Sequence, residues 1–260
     1  MIYSYYPGCT LKDRAKQMDI YARASAKALG IELKELPEWQ CCGAVYPQVS
    51  DEIASRLSAV RALMNSENGK LITMCSACHH VLKRTAYDWK RDENFRTKAT
   101  NYIKPEVPYE GTTEVIHFLE LIRDEIGFDE LKKRVVNPLT GRKIGAFYGC
   151  MLLRPGKALA FDDPENPTVI EDFIRALGAE PVTYPYRNEC CGAYVALENR
   201  AGAEKQVDRA LNSAIAAGCE ELITACPLCM YNLVENATCH KLPVIYFTEL
   251  LAEALGVKED

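Results

Sequence analysis

A chain of 260 residues with 48% hydrophobic residues, 26% charged residues and a net charge of −5 has ordinary globular composition, with room for one large domain or two small ones. The mild acidity argues against a nucleic-acid partner, and the longest apolar runs are strand length, short of a membrane span. The opening residues Met1-Ile-Tyr-Ser-Tyr-Tyr6 lack a basic segment followed by a long apolar core, so no signal peptide and a cytoplasmic location are expected. There, 12 cysteines at recurring spacings point to metal ligation or redox chemistry before structural disulfides.

Strand and helix patterns alternate along the chain. Residues 2–6 read as a strand ending just before Cys9, 15–29 as a helix stopped by Gly30, and 31–36 as a strand leading into Cys41-Cys42-Gly43-Ala44. Residues 50–65 read as a helix, and 71–74 as a strand running into Cys75-Ser-Ala-Cys78. The charged stretch 87–114, with Pro105 and Pro108, reads as a helical insertion plus linker before the strand–helix unit Val115-Ile-His-Phe-Leu-Glu-Leu121. The order then repeats. Strands at 143–148, 180–184 and 222–224 precede Cys150, Cys190-Cys191-Gly192-Ala193 and Cys226-Pro-Leu-Cys229, and Val244-Ile-Tyr-Phe-Thr-Glu-Leu250 closes the series. Asn137-Pro-Leu-Thr-Gly141 is the expected boundary, giving domains 1–137 and 138–260. The expected fold class is α/β: two pseudo-twofold-related, Rossmann-like parallel-sheet halves with cysteine clusters at the strand carboxyl ends, where such sheets place ligands.

Ten of the 12 cysteines fall in this doubled scheme. Each half carries a lone cysteine, a vicinal pair followed by glycine, and one C-x-x-C; Gly43 and Gly192 let the backbone turn beside a bulky ligand. Five thiolates exceed the four that a structural zinc takes, and a thioredoxin-like dithiol leaves three cysteines per half unexplained. Both stand as lesser alternatives to iron–sulfur ligation, for which thiolates are the standard donors. An adjacent pair is awkward for separate corners of a cubane, which suggests an atypical cluster.

At these residues the chain resembles the cysteine-rich family with the Cys-Cys-Gly signature, and within it the B subunits of heterodisulfide reductases. Tyr6-Pro-Gly-Cys9, the two Cys-Cys-Gly turns, the two C-x-x-C pairs, Tyr148-Gly-Cys150 with Arg154-Pro155, and Phe161-Asp-Asp-Pro-Glu-Asn-Pro167 carry the resemblance over essentially the whole chain. It implies two non-cubane 4Fe–4S clusters. Cys9, Cys41, Cys42, Cys75 and Cys78 would hold one; Cys150, Cys190, Cys191, Cys226 and Cys229 would hold the other. It further implies reduction of the coenzyme M–coenzyme B heterodisulfide in methanogenesis, each cluster delivering one electron and binding one thiolate. The implied partners are the small ferredoxin-like and the flavin-containing subunits of an electron-bifurcating reductase complex, with a hydrogenase or formate dehydrogenase module as a further candidate. The chain shows neither a glycine-rich dinucleotide fingerprint nor a C-x2-C-x2-C-x3-C-P run, so no bound flavin or nucleotide is expected and electrons must come from a partner.

Two other functions compete. Related Cys-Cys-Gly subunits relay electrons for flavin dehydrogenases of lactate or glycolate oxidation or of thiol:fumarate reduction, and a non-enzymatic metal-binding module would carry zinc or no metal. Outside the scheme, Cys219 and Cys239 read as spare buried thiols. His79 and His80 are weak proton-donor candidates, with polar residues of a helix start as the favoured plain reading. Lys12, Arg14, Arg154 and Arg187 are candidates for acidic substrate groups, with surface placement as the plain alternative. Phe161–Pro167 reads as a rigid loop beside the second cluster or as a simple turn.

Overall fold

Strands covered on both faces are largely apolar, and the inner strands follow this over their buried residues. Leu71, Ile72 and Thr73 are fully buried, as are Ile144, Ala146 and Phe147, whereas the edge strand at Glu32–Glu35 alternates between exposed and half-buried residues. The computed structural model describes residues 1–44, 51–67, 69–239 and 242–257. In the first half, β1 (Ile2–Tyr6), α1 (Lys16–Ala28), β2 (Glu32–Glu35), α2 (Leu57–Met64), β3 (Lys70–Thr73), α3 (Ser76–Arg91), α4 (Glu93–Ile103), β4 (Glu114–His117), α5 (Phe118–Leu121) and α6 (Phe128–Arg134) follow in order. The second half runs β5 (Lys143–Phe147), α7 (Gly156–Leu159), α8 (Val169–Ala176), β6 (Glu180–Val182), α9 (Arg200–Ala216), β7 (Glu221–Thr224), α10 (Pro227–Glu235), β8 (Val244–Tyr246) and α11 (Phe247–Ala254).

Each half forms a four-stranded parallel sheet, ordered β2-β1-β3-β4 in the first and β6-β5-β7-β8 in the second, so the expected α/β architecture is what the chain adopts. Strand order reverses between β1 and β3, and again between β5 and β7. The crevice beyond the carboxyl ends at such a switch point is where an open α/β sheet admits a ligand. The helix read over 50–65 is shorter than expected. Ser50 lies outside the described residues, and α2 begins only after a tight turn at Ala54–Arg56, because the Asp51 carboxylate accepts the N–H groups of Ile53 (3.0 Å) and Ala54 (2.9 Å).

One hydrophobic core runs through both halves. Helix α1 packs on α11, and Phe118, Phe161, Phe173 and Phe247 are buried at the junction, with Phe247 6.4 Å from Phe118 and 6.1 Å from Phe173 between ring centroids. Each such ring contributes about 1.5–3 kcal/mol by burial, so the halves share apolar stabilisation. A satellite core of Leu57, Val60, Trp89, Phe95 and Ala99 anchors α4, which Asp92 caps through Phe95 N (3.0 Å).

The loop 161–167 is fixed to the segment that delivers Cys190. Asp162 accepts the N–H groups of Thr168 (2.7 Å) and Val169 (2.8 Å), Asn188 donates to Pro164 O (2.8 Å), and Arg154 donates to both Pro164 O (2.9 Å) and Asn188 O (2.8 Å). Arg187 is buried. It pairs with Glu171 at 3.0 Å and donates to Asn166 Oδ1 at 2.7 Å. Burial pushes the Glu171 carboxyl up against the pull of Tyr148 and Arg187, so the pair persists only while all partners are in place. Arg187→Ala leaves Glu171 buried without its cation and should cost about 3–5 kcal/mol, measured by anaerobic denaturant unfolding.

Candidate metal centre

Every cysteine of the doubled pattern sits at or just past a strand's carboxyl end. Cys9 follows β1, Cys41 and Cys42 follow β2, and Cys75 and Cys78 lie at the N-cap and third position of α3. Cys150, Cys190, Cys191, Cys226 and Cys229 repeat this after β5, β6 and β7, with Pro227 as the first residue of α10. All ten are free thiols.

The thiols form two rows that meet. In the first, Cys9 Sγ lies 3.4 Å from Cys41 Sγ, Cys41 bonds Cys42, Cys42 Sγ lies 3.5 Å from Cys78 Sγ, and Cys78 bonds Cys75. In the second, Cys150, Cys190, Cys191, Cys229 and Cys226 are linked in the same sequence. Cys75 and Cys226 hydrogen-bond each other and join the rows. Beside them Ser76 donates twice to Ala225 O, from its N–H at 2.9 Å and from Oγ at 3.1 Å, so the two C-x-x-C turns are clasped together.

Electrostatics in this region come from sulfur and backbone. The hydrogen-bonding partners of the thiols include other thiols, the Thr10 hydroxyl and N–H groups of Thr10, Gly43, Ala44, Gly192, Ala193, Leu228, Cys78 and Cys229. Bonds from Cys150 and Cys191 pull Cys190 down to about 2, and thiol donors hold Cys42 and Cys226 low. The Cys190 bond pushes Cys191 up to about 12. Adjacent sulfurs cannot all ionise unless positive charge is brought to them, and bound metal is the group that does so. Among the described residues no three His, Cys, Asp or Glu side chains gather to hold a single metal ion. Thiolate donors of this kind are the standard ligands of iron–sulfur groups.

Two glycines complete the cradle. Gly8 (φ +77°) and Gly149 (φ +63°) precede Cys9 and Cys150, and a Cβ there would stand 2.8 Å from Cys78 Sγ and 2.9 Å from Cys229 Sγ. Sequence reasoning singled out Gly43 and Gly192 as turn glycines, and both have positive φ (+82° and +84°). It passed over Gly8 and Gly149, although the repeated Gly-Cys step was their visible signal.

Other candidates have different employment. His79 is fully buried behind β3, with Nδ1 3.1 Å from Thr73 Oγ1 and Nε2 3.4 Å from Glu120 Oε2; burial holds its imidazole well below the usual range. His80 Nδ1 lies 3.3 Å from Met151 O, across the halves. Lys12 pairs with Glu35 at 2.7 Å, Arg154 and Arg187 are committed to the 161–167 loop, and Arg14 is an exposed side chain beside Asp13. Cys219 is buried against Gly145 and Tyr184, outside both rows. Cys239 is exposed on Asp208 rather than buried, because that carboxylate accepts the N–H groups of Thr238 and Cys239 at the surface.

The second row borders a cavity of about 20 Å³, whose walls include Ser76, Tyr148, Met151, Tyr194 and Leu228. A groove of about 280 Å³ shares Ala193, Tyr194 and Leu228 with it and opens past Leu197, Arg200 and the exposed Tyr231. Among the described residues no helix is long and apolar enough to cross a membrane.

Residues 3–83 and 144–234 match the CCG family, described as a cysteine-rich domain. The 8-methylmenaquinol:fumarate reductase membrane anchor subunit of Wolinella succinogenes is 32% identical over 266 residues, 98% of this chain and 92% of that protein. The B subunit of the ferredoxin:CoB-CoM heterodisulfide reductase of Methanosarcina mazei is 27% identical over 271 residues, covering 99% and 90%. Among solved structures, a Helicobacter pylori protein superposes with a TM-score of 0.76 at 12% identity, covering 99% of this chain and 49% of that one, a likeness of fold. Replacing Gly8 or Gly149 by alanine should push Cys78 or Cys229 out of its row. Each variant is expected to lose about half of the bound metal, counted per chain after anaerobic purification.

Proposed function

The chain belongs to the cysteine-rich CCG domain family, and on that premise we propose that this iron–sulfur electron-transfer subunit reduces a disulfide. The substrate is the coenzyme M–coenzyme B heterodisulfide or a related mixed disulfide, handled within a multi-subunit complex. The observation that carries the reading is the meeting of two like sulfur rows at Cys75 and Cys226. A disulfide presents two like sulfur atoms, and two like sites suit it, whereas a relay needs only succession. The reduction consumes two electrons and two protons and yields two thiols. Non-cubane 4Fe–4S clusters, when bound, supply the electrons one at a time.

Cys9, Cys41, Cys42, Cys75 and Cys78 would hold one cluster in the unit 1–137, and Cys150, Cys190, Cys191, Cys226 and Cys229 the other in 138–260. The first turns of α3 and α10 and the N–H groups after each Cys-Cys pair direct positive partial charge at the sulfurs, which would tune the reduction potential of a bound cluster. The groove beside Tyr194 gives a small molecule a route toward Cys150 and Cys190, the less buried end of the second row. Electrons enter from partner proteins, one ferredoxin-like and one flavin-containing in this reading.

A second reading makes the chain an electron relay in a fumarate-reducing complex. It is favoured by the 32% identity to the W. succinogenes protein. Anaerobic EPR with and without coenzyme M, alongside iron and labile-sulfide counts, separates the two. A new paramagnetic signal on adding the thiol supports disulfide reduction, loaded clusters that ignore it favour the relay, and zinc without labile sulfide refutes both. Cys42→Ala and Cys191→Ala should each remove or alter one cluster and leave the other half folded; both native spectra surviving in either variant would refute the ligand assignment.

A further inference from the structure

One contact between the halves is made by a side chain with no equivalent in the repeat. Tyr194 closes the second half's Cys190-Cys191-Gly192-Ala193 turn, and its hydroxyl donates to Ala44 O in the first half's Cys41-Cys42-Gly43-Ala44 turn. The N–H of the same Ala44 bonds the Cys42 sulfur. Ala44 is thus held from both sides, by Tyr194 through its carbonyl and by Cys42 through its amide. The hydroxyl lies within electrostatic reach of sulfurs of both rows, Cys42 of the first and Cys150, Cys190 and Cys226 of the second, and the residue forms a wall of the cavity with Ser76. At the corresponding position after Ala44 the sequence has Val45, which carries no hydroxyl. Among the described residues the tie runs from the second half to the first.

We propose that Tyr194 is a positioning residue through which the second half fixes the first half's sulfur row. Its hydroxyl holds the Ala44 peptide so that the Ala44 N–H stays on Cys42. A hydrogen bond to a ligand sulfur tunes both the retention and the electronic signature of an iron–sulfur group. A residue outside the first half then controls how the first site holds iron. The inference rests on the iron–sulfur reading of the two rows.

The test uses the full chain, purified anaerobically, with Cys42→Ala and Cys191→Ala spectra assigning EPR signals to each site. Tyr194→Phe keeps the ring and removes the hydroxyl. The expected result is a shifted first-site signal and about five-fold faster release of first-site iron to a chelator, the effect of one lost hydrogen bond, while the second-site signal stays as in the wild type. An unchanged first-site signal and release rate would overturn the proposal. So would a normal Tyr194→Phe beside a disturbed Tyr194→Leu, which would assign the role to ring packing, or loss of both signals together, which would assign Tyr194 to the fold as a whole. Zinc without labile sulfide in the wild-type chain would instead overturn the iron–sulfur reading, and the tie with it, before any variant is measured.

Discussion

The contact on which the rest of the molecule depends is the clasp between the two C-x-x-C turns, where Ser76 donates twice to Ala225 O and Cys75 meets Cys226. Buried backbone carbonyls must find donors, and this one finds them in the opposite half. The clasp brings the starts of α3 and α10 together, and those starts carry four of the ten cysteines. The remaining six reach the same region because parallel strands deliver their following loops to one edge of the sheet. Two sheets with the same strand order, joined at that edge, give two sulfur rows with a common midpoint. Burial at Phe118, Phe173 and Phe247 stabilises the arrangement from behind.

Much of this was legible in the sequence. Apolar runs bounded by glycine and cysteine marked the inner strands, because doubly covered strands leave a continuous hydrophobic signature. The doubled cysteine spacing located both sulfur groups, since each cysteine followed a recognisable strand. Less visible were interactions whose partners are far apart in the chain. Nothing in Arg187 or Arg154 distinguishes a buried clamp from a free cation, and only the folded chain shows them bound to Glu171, Asn166 and Pro164. His79 stands next to Cys78 in sequence, yet a helix turns successive residues about 100° apart, and its ring faces Thr73 and Glu120. Gly8 and Gly149 were overlooked for a related reason. A glycine needed for close approach to a sulfur 70 or 80 residues away looks like any turn glycine.

Internal engagement of the basic residues bears on how a site made of sulfur is kept in order. Lys12, Arg154 and Arg187 are each tied to carboxylates or carbonyls that brace a loop carrying a cysteine. Charge beside the rows comes instead from backbone N–H groups and helix starts. Such groups cannot rotate away as a lysine can, so the field they create is fixed with the fold.

The clasp also departs from the symmetry of the repeat. By position, Met74 corresponds to Ala225 and Ser76 to Pro227. A symmetric pair would have a second bond from residue 227 to Met74 O, but proline has no N–H to give, and Met74 O is taken at 2.8 Å by His117 Nε2. Two copies of the first half, set face to face, would present Ser76 donors to a carbonyl that already accepts from His117 Nε2. Two copies of the second would present Ala225 carbonyls to prolines. The repeat is thus symmetric in its sulfur rows and one-way in the clasp that joins them.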